Sequence, residues 1–274
     1  MKEDFYADEA RLAVHLEMEW SDFLYPPAGP SQSRIAWPDP LTHRAAPTFY
    51  QEVGRRVCGW LALRNLTPAS HCEVGGGAGR MLYELANALP SLREMSLVEP
   101  SENLARWAHA LLAGTDEIGT FPAVAGPRQA ETRRAYARPR PVASSSRKLS
   151  IHRQGIEQAS LAAGAWDLVT CLGVVDRHPD PAGLLRSLRR ILAPGGVLVV
   201  ASPLDFRERY TPRSAWVDDL DALFAPDDWT NVGSAEIPFD VRSSRRCWTR
   251  YVAQVRGEVK RSGVPAATRA MASA

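Results

Sequence analysis

Between residues 70 and 203, short apolar runs alternate with amphipathic stretches, and this alternation restricts the fold more than any other feature of the chain. "SHCEV" precedes the helix-patterned "AGRMLYELANAL", and "EMSLVEP" precedes "SENLARWAHALLA". After "KLSIHRQ" and the almost wholly apolar "WDLVTCLGVV" come "PAGLLRSLRRIL" and then "VLVVASP". Strands separated by helices pair in parallel and are buried on both faces, so the pattern predicts an α/β fold with a doubly wound sheet. "NVGSAEIPFDVR" and "CWTRYVAQVRGEV" read as two further strands.

Ahead of the alternation, residues 4–24 carry Phe5, Leu12, Leu16, Trp20 and Leu24 at helical spacing. "YPPAGPSQSRIAWPDPLTHRAAP" reads as an irregular connection, and a second helix is expected over about 48–65, with Phe49, Val53, Val57, Trp60, Leu61 and Leu63. The expected organisation is an N-terminal helical segment (1–47), a main domain (48–261) and a frayed tail (262–274). One segment breaks the alternation. Residues 121–148, "FPAVAGPRQAETRRAYARPRPVASSSRK", hold seven basic residues and the single acid Glu131. The plainest expectation for it is a solvated, mobile insertion. A flap over an anionic substrate and a nucleic-acid contact are the alternatives, the latter weakened by little aromatic interleaving beyond Tyr136.

A formal net charge of +2 is too small to argue for nucleic acid or a membrane surface. The four cysteines, Cys58, Cys72, Cys171 and Cys247, form no CxxC pair, so neither a metal site nor a disulfide framework is expected. No apolar run reaches the length of a membrane span and the N-terminus has no signal core, so the expected location is cytoplasmic.

Four glycines, Gly75, Gly76, Gly77 and Gly79, lie between the first strand and its helix. In open α/β sheets such a turn is a ligand edge, and an acid ending the next strand bonds ribose hydroxyls. Here that acid is Glu99, 22 positions after Gly77. The dinucleotide pattern GxGxxG fails in both registers: from Gly75 it ends on Arg80, and from Gly76 its middle position is Ala78. ExGxGxG fits, from Glu73 through Gly75, Gly77 and Gly79. An acid two residues before the first glycine suits a cationic ligand and is ill placed beside a pyrophosphate.

That spacing resembles motif I of the class I S-adenosylmethionine-dependent methyltransferases. "LVEP", "WDLVTCLGVV" and "LAPGGVLVVASP" extend the likeness over about residues 50–203. The resemblance implies a Rossmann-like sheet and S-adenosyl-L-methionine as cofactor, released as S-adenosyl-L-homocysteine. By it, Glu73, Gly75, Gly76, Gly77 and Gly79 line the methionyl and ribose side, Glu99 takes the ribose hydroxyls and Pro100 borders the adenine. After the third strand the family often carries Gly-Asp, whereas this chain has Gly155 followed by Ile156. Either Glu157 or backbone alone then reads the adenine. Cys171, Leu172 and Gly173 are expected beneath the sulfonium. In "VVDRHPD", Asp176 and His178 are the ionisable candidates for orienting or deprotonating an acceptor; a turn cap and an exposed imidazole are the plainer readings of each.

From Val174 onwards the chain looks more particularly like the methyltransferase domain of ovothiol-biosynthesis enzymes, through "DRHPDP", the PGG strand, "RYTPRSAW" and the later "IPFDVRSSRRCWTRYVAQVRGEVKR". This closer likeness covers about residues 48–261. It implies methylation, at nitrogen, of a small amino-acid-like or imidazole-type acceptor beside Arg177, Phe206, Tyr210 and Trp216, as in secondary metabolism. Strand four lacks the Asn expected near Gly173, and the chain brings its own N-terminal helix, whose Tyr6, His15, Trp20 and Tyr25 form either a lid or a dimerisation arm. Sulfur or oxygen of another small metabolite, or a non-catalytic partner subunit of the same fold, are the alternatives. The Asn/Asp-Pro-Pro-aromatic motif of nucleic-acid amino methylation is absent, "CLGV" standing in its place.

Overall fold

The computed structural model describes residues 4–25, 48–114, 119–126, 128–244 and 246–261. The Pro-rich connection and the expected frayed tail lie outside them. The elements follow the alternation closely: α1 (Glu9–Leu24), α2 (Thr48–Leu63), β1 (Ser70–Val74), α3 (Arg80–Ala88), β2 (Glu94–Val98), α4 (Glu102–Ala113), β3 (Thr120–Gly126), β4 (Gln129–Arg134), β5 (Lys148–His152), β6 (Trp166–Leu172), α5 (Pro181–Ile191), β7 (Leu192–Ser202), β8 (Trp229–Ser244) and β9 (Cys247–Lys260). Local chemistry sets the helix starts. Asp8 accepts from the Ala10 and Arg11 amides, Ser101 caps α4 at Leu104, and Asp180 caps α5 at Gly183 with Pro181 in the first turn.

Seven strands form one sheet in the order β5-β2-β1-β6-β7-β9-β8. The first five are parallel, whereas β9 runs antiparallel between β7 and β8. The connections reverse between β1 and β6, which places the ligand edge at the carboxyl ends of these two strands. Side chains along β7 alternate faces, as a strand requires. Leu198 and Val200 pack with α5 residues Leu184 and Leu188, whereas Val197, Val199 and Ala201 pack with α2 residues Val53, Val57 and Trp60. This is a Rossmann-like sheet.

The basic segment takes regular structure where it packs on the body of the fold. Its first part is the antiparallel hairpin β3–β4, paired from Thr120–Arg134 to Gly126–Gln129. Phe121 and Ala123 turn inward and join a core with Leu12, Leu16 and Trp20 of α1 and Leu82, Leu104 and Leu111 of α3 and α4. Arg128, Arg133, Arg134, Arg138 and Arg140 remain at the surface. The apolar alternation in "FPAVA" supplies the buried face, and the arginines solvate the other. Among the described residues, no helix is long and apolar enough to cross a membrane.

Candidate active site

β1 runs into α3 through a turn in which Gly75 and Gly77 take left-handed conformations, φ +66° and +55°, that favour glycine. The Gly75 amide donates to Val98 O at 2.8 Å, tying the turn to β2. Gly79 opens α3 without a capping side chain. Glu73 supplies the acceptor instead: from near the end of β1 its Oε2 accepts from the Leu82 amide at 2.7 Å. Burial, and then the charge of Glu19, push its carboxyl well above the usual range. Glu73 thus shapes the loop from below.

At the end of β2, Glu99 faces the loop from across the turn. Its Oε2 accepts from Gly77 N at 2.9 Å and its Oε1 from Ser101 N at 2.8 Å. Each carboxylate oxygen has a further lone pair, so two acceptor sites stay available. Burial pushes the Glu99 carboxyl up to about 7, against the two amides and His15, which favour its charge.

Helix α1 closes over this loop. Trp20 Nε1 donates to Ala78 O at 3.2 Å, and Ala78 N donates to Glu19 Oε2 at 3.0 Å. Arg80 clamps the two helices from the far side, bonding Glu19 O at 2.9 Å and Asp22 in bidentate fashion at 2.6 and 2.8 Å. His15 Nε2 lies 2.6 Å from Glu19 Oε1, and His15 Nδ1 lies 3.4 Å from the Tyr6 hydroxyl. Burial works to lower the His15 pKa, but the Glu19 carboxylate beside it prevails and holds the imidazole above its ordinary value. Side chains of the protein stand against every loop glycine. A Cβ on Gly75 would strike Val174, on Gly76 Leu97 and Glu73, on Gly77 Glu19 and His15, and on Gly79 Leu112. The glycines therefore also let α1 and α4 come close.

Gly173, at the end of β6, differs. It too has a left-handed conformation, yet among the described residues no heavy atom beyond its chain neighbours lies within 4 Å of where its Cβ would be. Cys171 beside it is fully buried, with a thiol pushed up by burial, and Leu172 is half-buried. Ile156 packs in an apolar cluster with Val74, Val98 and Val175. Pro100 is exposed. Glu157 meets His178, Oε1 to Nε2 3.0 Å, while His178 Nδ1 lies 2.8 Å from Asp180 O. With Gly155 just before it in sequence, this pair belongs to the rim on the α5 side, where Glu157, His178, Arg186 and Arg190 line an open cleft of about 600 Å³.

Asp176 is buried and accepts from Ser202 Oγ at 2.8 Å; burial raises its pKa, while Arg177, 3.4 Å away, opposes the rise. Arg177 donates to Asp205 O at 2.6 Å and lies over the Tyr210 ring at 5.4 Å. Phe206 and Trp216 stack at 6.0 Å, and Trp216 Nε1 is fixed by Thr211 O at 2.9 Å. The segment that follows β7 thus carries Phe206, Tyr210 and Trp216, and Tyr210 meets Arg177 from the turn before α5. The fold does not bring His178 a free nitrogen. Glu19 escaped the sequence reading; the signal was a carboxylate four residues after His15, next to the apolar stripe of α1.

Three carboxyl groups, Glu19, Glu73 and Glu99, thus surround one loop, with the imidazole of His15 facing it, and all three are buried. Such a set offers hydrogen-bond acceptors and no side-chain donor but the imidazole, which suits a ligand with sulfonium and ammonium charges better than a diphosphate. The reversal edge, the glycine turn and the acid at the end of β2 define a nucleoside-cofactor enzyme of the Rossmann-like kind. A family model described as "Methyltransferase domain" matches residues 43–237, and the chain belongs to that family. The domain is of the S-adenosylmethionine-dependent methyltransferase class.

Curated relatives are similar over short stretches. The ubiquinone biosynthesis O-methyltransferase of Sodalis glossinidius is 41% identical over 49 residues, 18% of this chain and 20% of that one. The tRNA U34 carboxymethyltransferase of Trichodesmium erythraeum is 30% identical over 81 residues, 28% of this chain and 25% of that one. The matches span no more than about a quarter of those relatives' lengths. Among solved structures, N-methyltransferase NodS of Bradyrhizobium japonicum in complex with S-adenosylhomocysteine covers 93% of this chain and 100% of its own, with TM-score 0.50 and 14% identity, a likeness of fold.

Proposed function

We propose that the cofactor lies along the glycine loop with its ribose on Glu99, and that its methyl group passes to a nitrogen of a small amino-acid-like or imidazole-type acceptor. When bound, the cofactor supplies an electrophilic methyl carbon on a good leaving group. The chain's own task is alignment and exclusion of water. The observation that carries the acceptor side is Arg177 over the Tyr210 ring, beside a segment that also carries the stacked Phe206 and Trp216. Its tie to the cofactor side is Tyr6, whose phenol is raised first by burial and then by Glu99 and Glu19, with smaller influences from Tyr210 and Arg177. Aromatic walls with one fixed guanidinium suit a flat, zwitterionic ligand. In this reading Arg177 takes the acceptor's carboxylate. Asp176, anchored on Ser202, positions that guanidinium. His178, engaged by Glu157 and Asp180, sits at the rim.

The test is to incubate the protein with S-adenosylmethionine and a panel of imidazole, amino-acid, phenol and thiol acceptors, following S-adenosylhomocysteine release. Turnover is expected with imidazole-bearing amino acids. Preference for phenols or thiols would overturn the nitrogen assignment. With a nitrogen acceptor in hand, Arg177→Ala is expected to raise its KM about tenfold or more, the worth of a charge-assisted carboxylate bond, with a smaller change in kcat.

A further inference from the structure

Glu19 holds a central place that neither the loop motif nor the acceptor segment explains. Its charge bears on His15, Tyr6, Tyr50, Glu73 and Glu99, which come from α1 itself, the turn before it, α2 and the ends of β1 and β2. With His15 it occupies the face of Gly77 that a side chain would otherwise fill. His15 Nε2 is a buried nitrogen that lies off the line of a hydrogen bond to Glu19 despite their closeness. An anion and an imidazole held side by side on the cofactor loop form a complement to a zwitterion.

The pair is fixed in place. Leu12, Leu16, Trp20 and Leu24 anchor α1 in the core shared with α3, α4 and β3. Glu17, two residues before Glu19, is bonded by Arg242 of β8 at 2.7 Å and by the Tyr25 hydroxyl at 3.0 Å. Arg80 holds the Glu19 carbonyl itself. So α1 is a wall of the site, with its charged pair pre-oriented.

We propose that the Glu19–His15 pair reads the α-amino-acid end of the cofactor, the carboxylate taking the ammonium and the imidazole taking the carboxylate. This rests on the glycine loop being the cofactor site. The site then discriminates between adenosyl thioethers with and without an amino-acid end.

Calorimetry on the full chain, with S-adenosylhomocysteine and with 5′-deoxy-5′-methylthioadenosine, tests it, because the second ligand keeps the adenosine and thioether and lacks the amino acid. Glu19→Gln retains an oxygen for the Ala78 amide and removes the charge. It is expected to weaken S-adenosylhomocysteine about ten- to a hundredfold, the range for a charged hydrogen bond, and to leave methylthioadenosine unchanged. His15→Gln is expected to act in the same direction, and it decides the matter should Glu19→Gln melt below the wild type. Equal loss for both ligands, or none for S-adenosylhomocysteine, overturns the proposal. Wild-type protein that binds neither ligand overturns the loop assignment and this inference with it.

Discussion

Glu99→Ala is expected to lower the affinity for S-adenosylhomocysteine by a hundredfold or more in calorimetry. A carboxylate taking two ribose hydroxyls makes two charge-assisted bonds, each worth about 1.5–3 kcal/mol. The same side chain holds the Gly77 and Ser101 amides, so its removal also loosens the loop. The pH dependence gives a second readout. With the carboxyl pushed up to about 7 by burial, the free protein carries a proton on Glu99 below neutrality, and two hydroxyl donors require the charged form. Wild-type affinity should therefore fall by up to about tenfold per pH unit as pH drops below about 7, and level off above it. The sign reverses for stability. The native carboxyl holds its proton up to about 7, whereas the unfolded chain releases it near 4.5. Stability from this group is present below pH 4.5 and is lost as pH rises toward 7, by roughly 3 kcal/mol. Both trends should vanish in Glu99→Ala. A variant that binds as tightly as wild type would remove Glu99 from the ribose.

Period and punctuation made most of the sheet legible. "WDLVTCL" had the apolar run of a strand buried on both sides, and "PAGLLRSLRRIL" began where α5 begins, at Pro181. Glu99 was legible because its distance from Gly77 is a property of one strand–loop–helix–strand unit, which sequence spacing records. The hairpin β3–β4 was hidden by its arginines: mean composition over the segment masks a buried face made of only Phe121, Ala123 and Val124. Glu19 and Glu17 were hidden for another reason. A buried carboxylate is tolerated only where partners await it, and theirs are Ala78 and His15 for one, Arg242 and Tyr25 for the other. Ala78 and Arg242 lie dozens to hundreds of positions away in sequence. Helical spacing shows which face of α1 is apolar but carries no information about what the chain brings to meet it.

Trp20→Ala tests whether α1 is a wall or a detachable cover. Trp20 is fully buried, at 0% exposure, and sits where α1 departs from helical geometry, φ −124° and ψ 16°. That kink brings its indole to the Ala78 carbonyl and sets the ring 5.2 Å from Tyr83 and 5.0 Å from the Arg80 guanidinium. Truncation removes the apolar contact, leaves the Ala78 carbonyl and the Arg80 face uncovered, and opens a cavity between α1 and α3. The expected loss is about 3–5 kcal/mol in urea unfolding, with the melting temperature down by roughly 6–20 °C. Trp20→Phe, which keeps most of the area and loses the hydrogen bond, should cost only about 1 kcal/mol. A wall that supplies part of the site has a further consequence: in the Ala variant, affinity for S-adenosylhomocysteine should fall along with stability, because Glu19 and His15 lose their fixed position over Gly77. A cover that merely blocks the loop predicts the opposite, tighter binding in a destabilised protein. Loss of stability with a gain in affinity would make α1 a gate, and loss of both makes it part of the cofactor site.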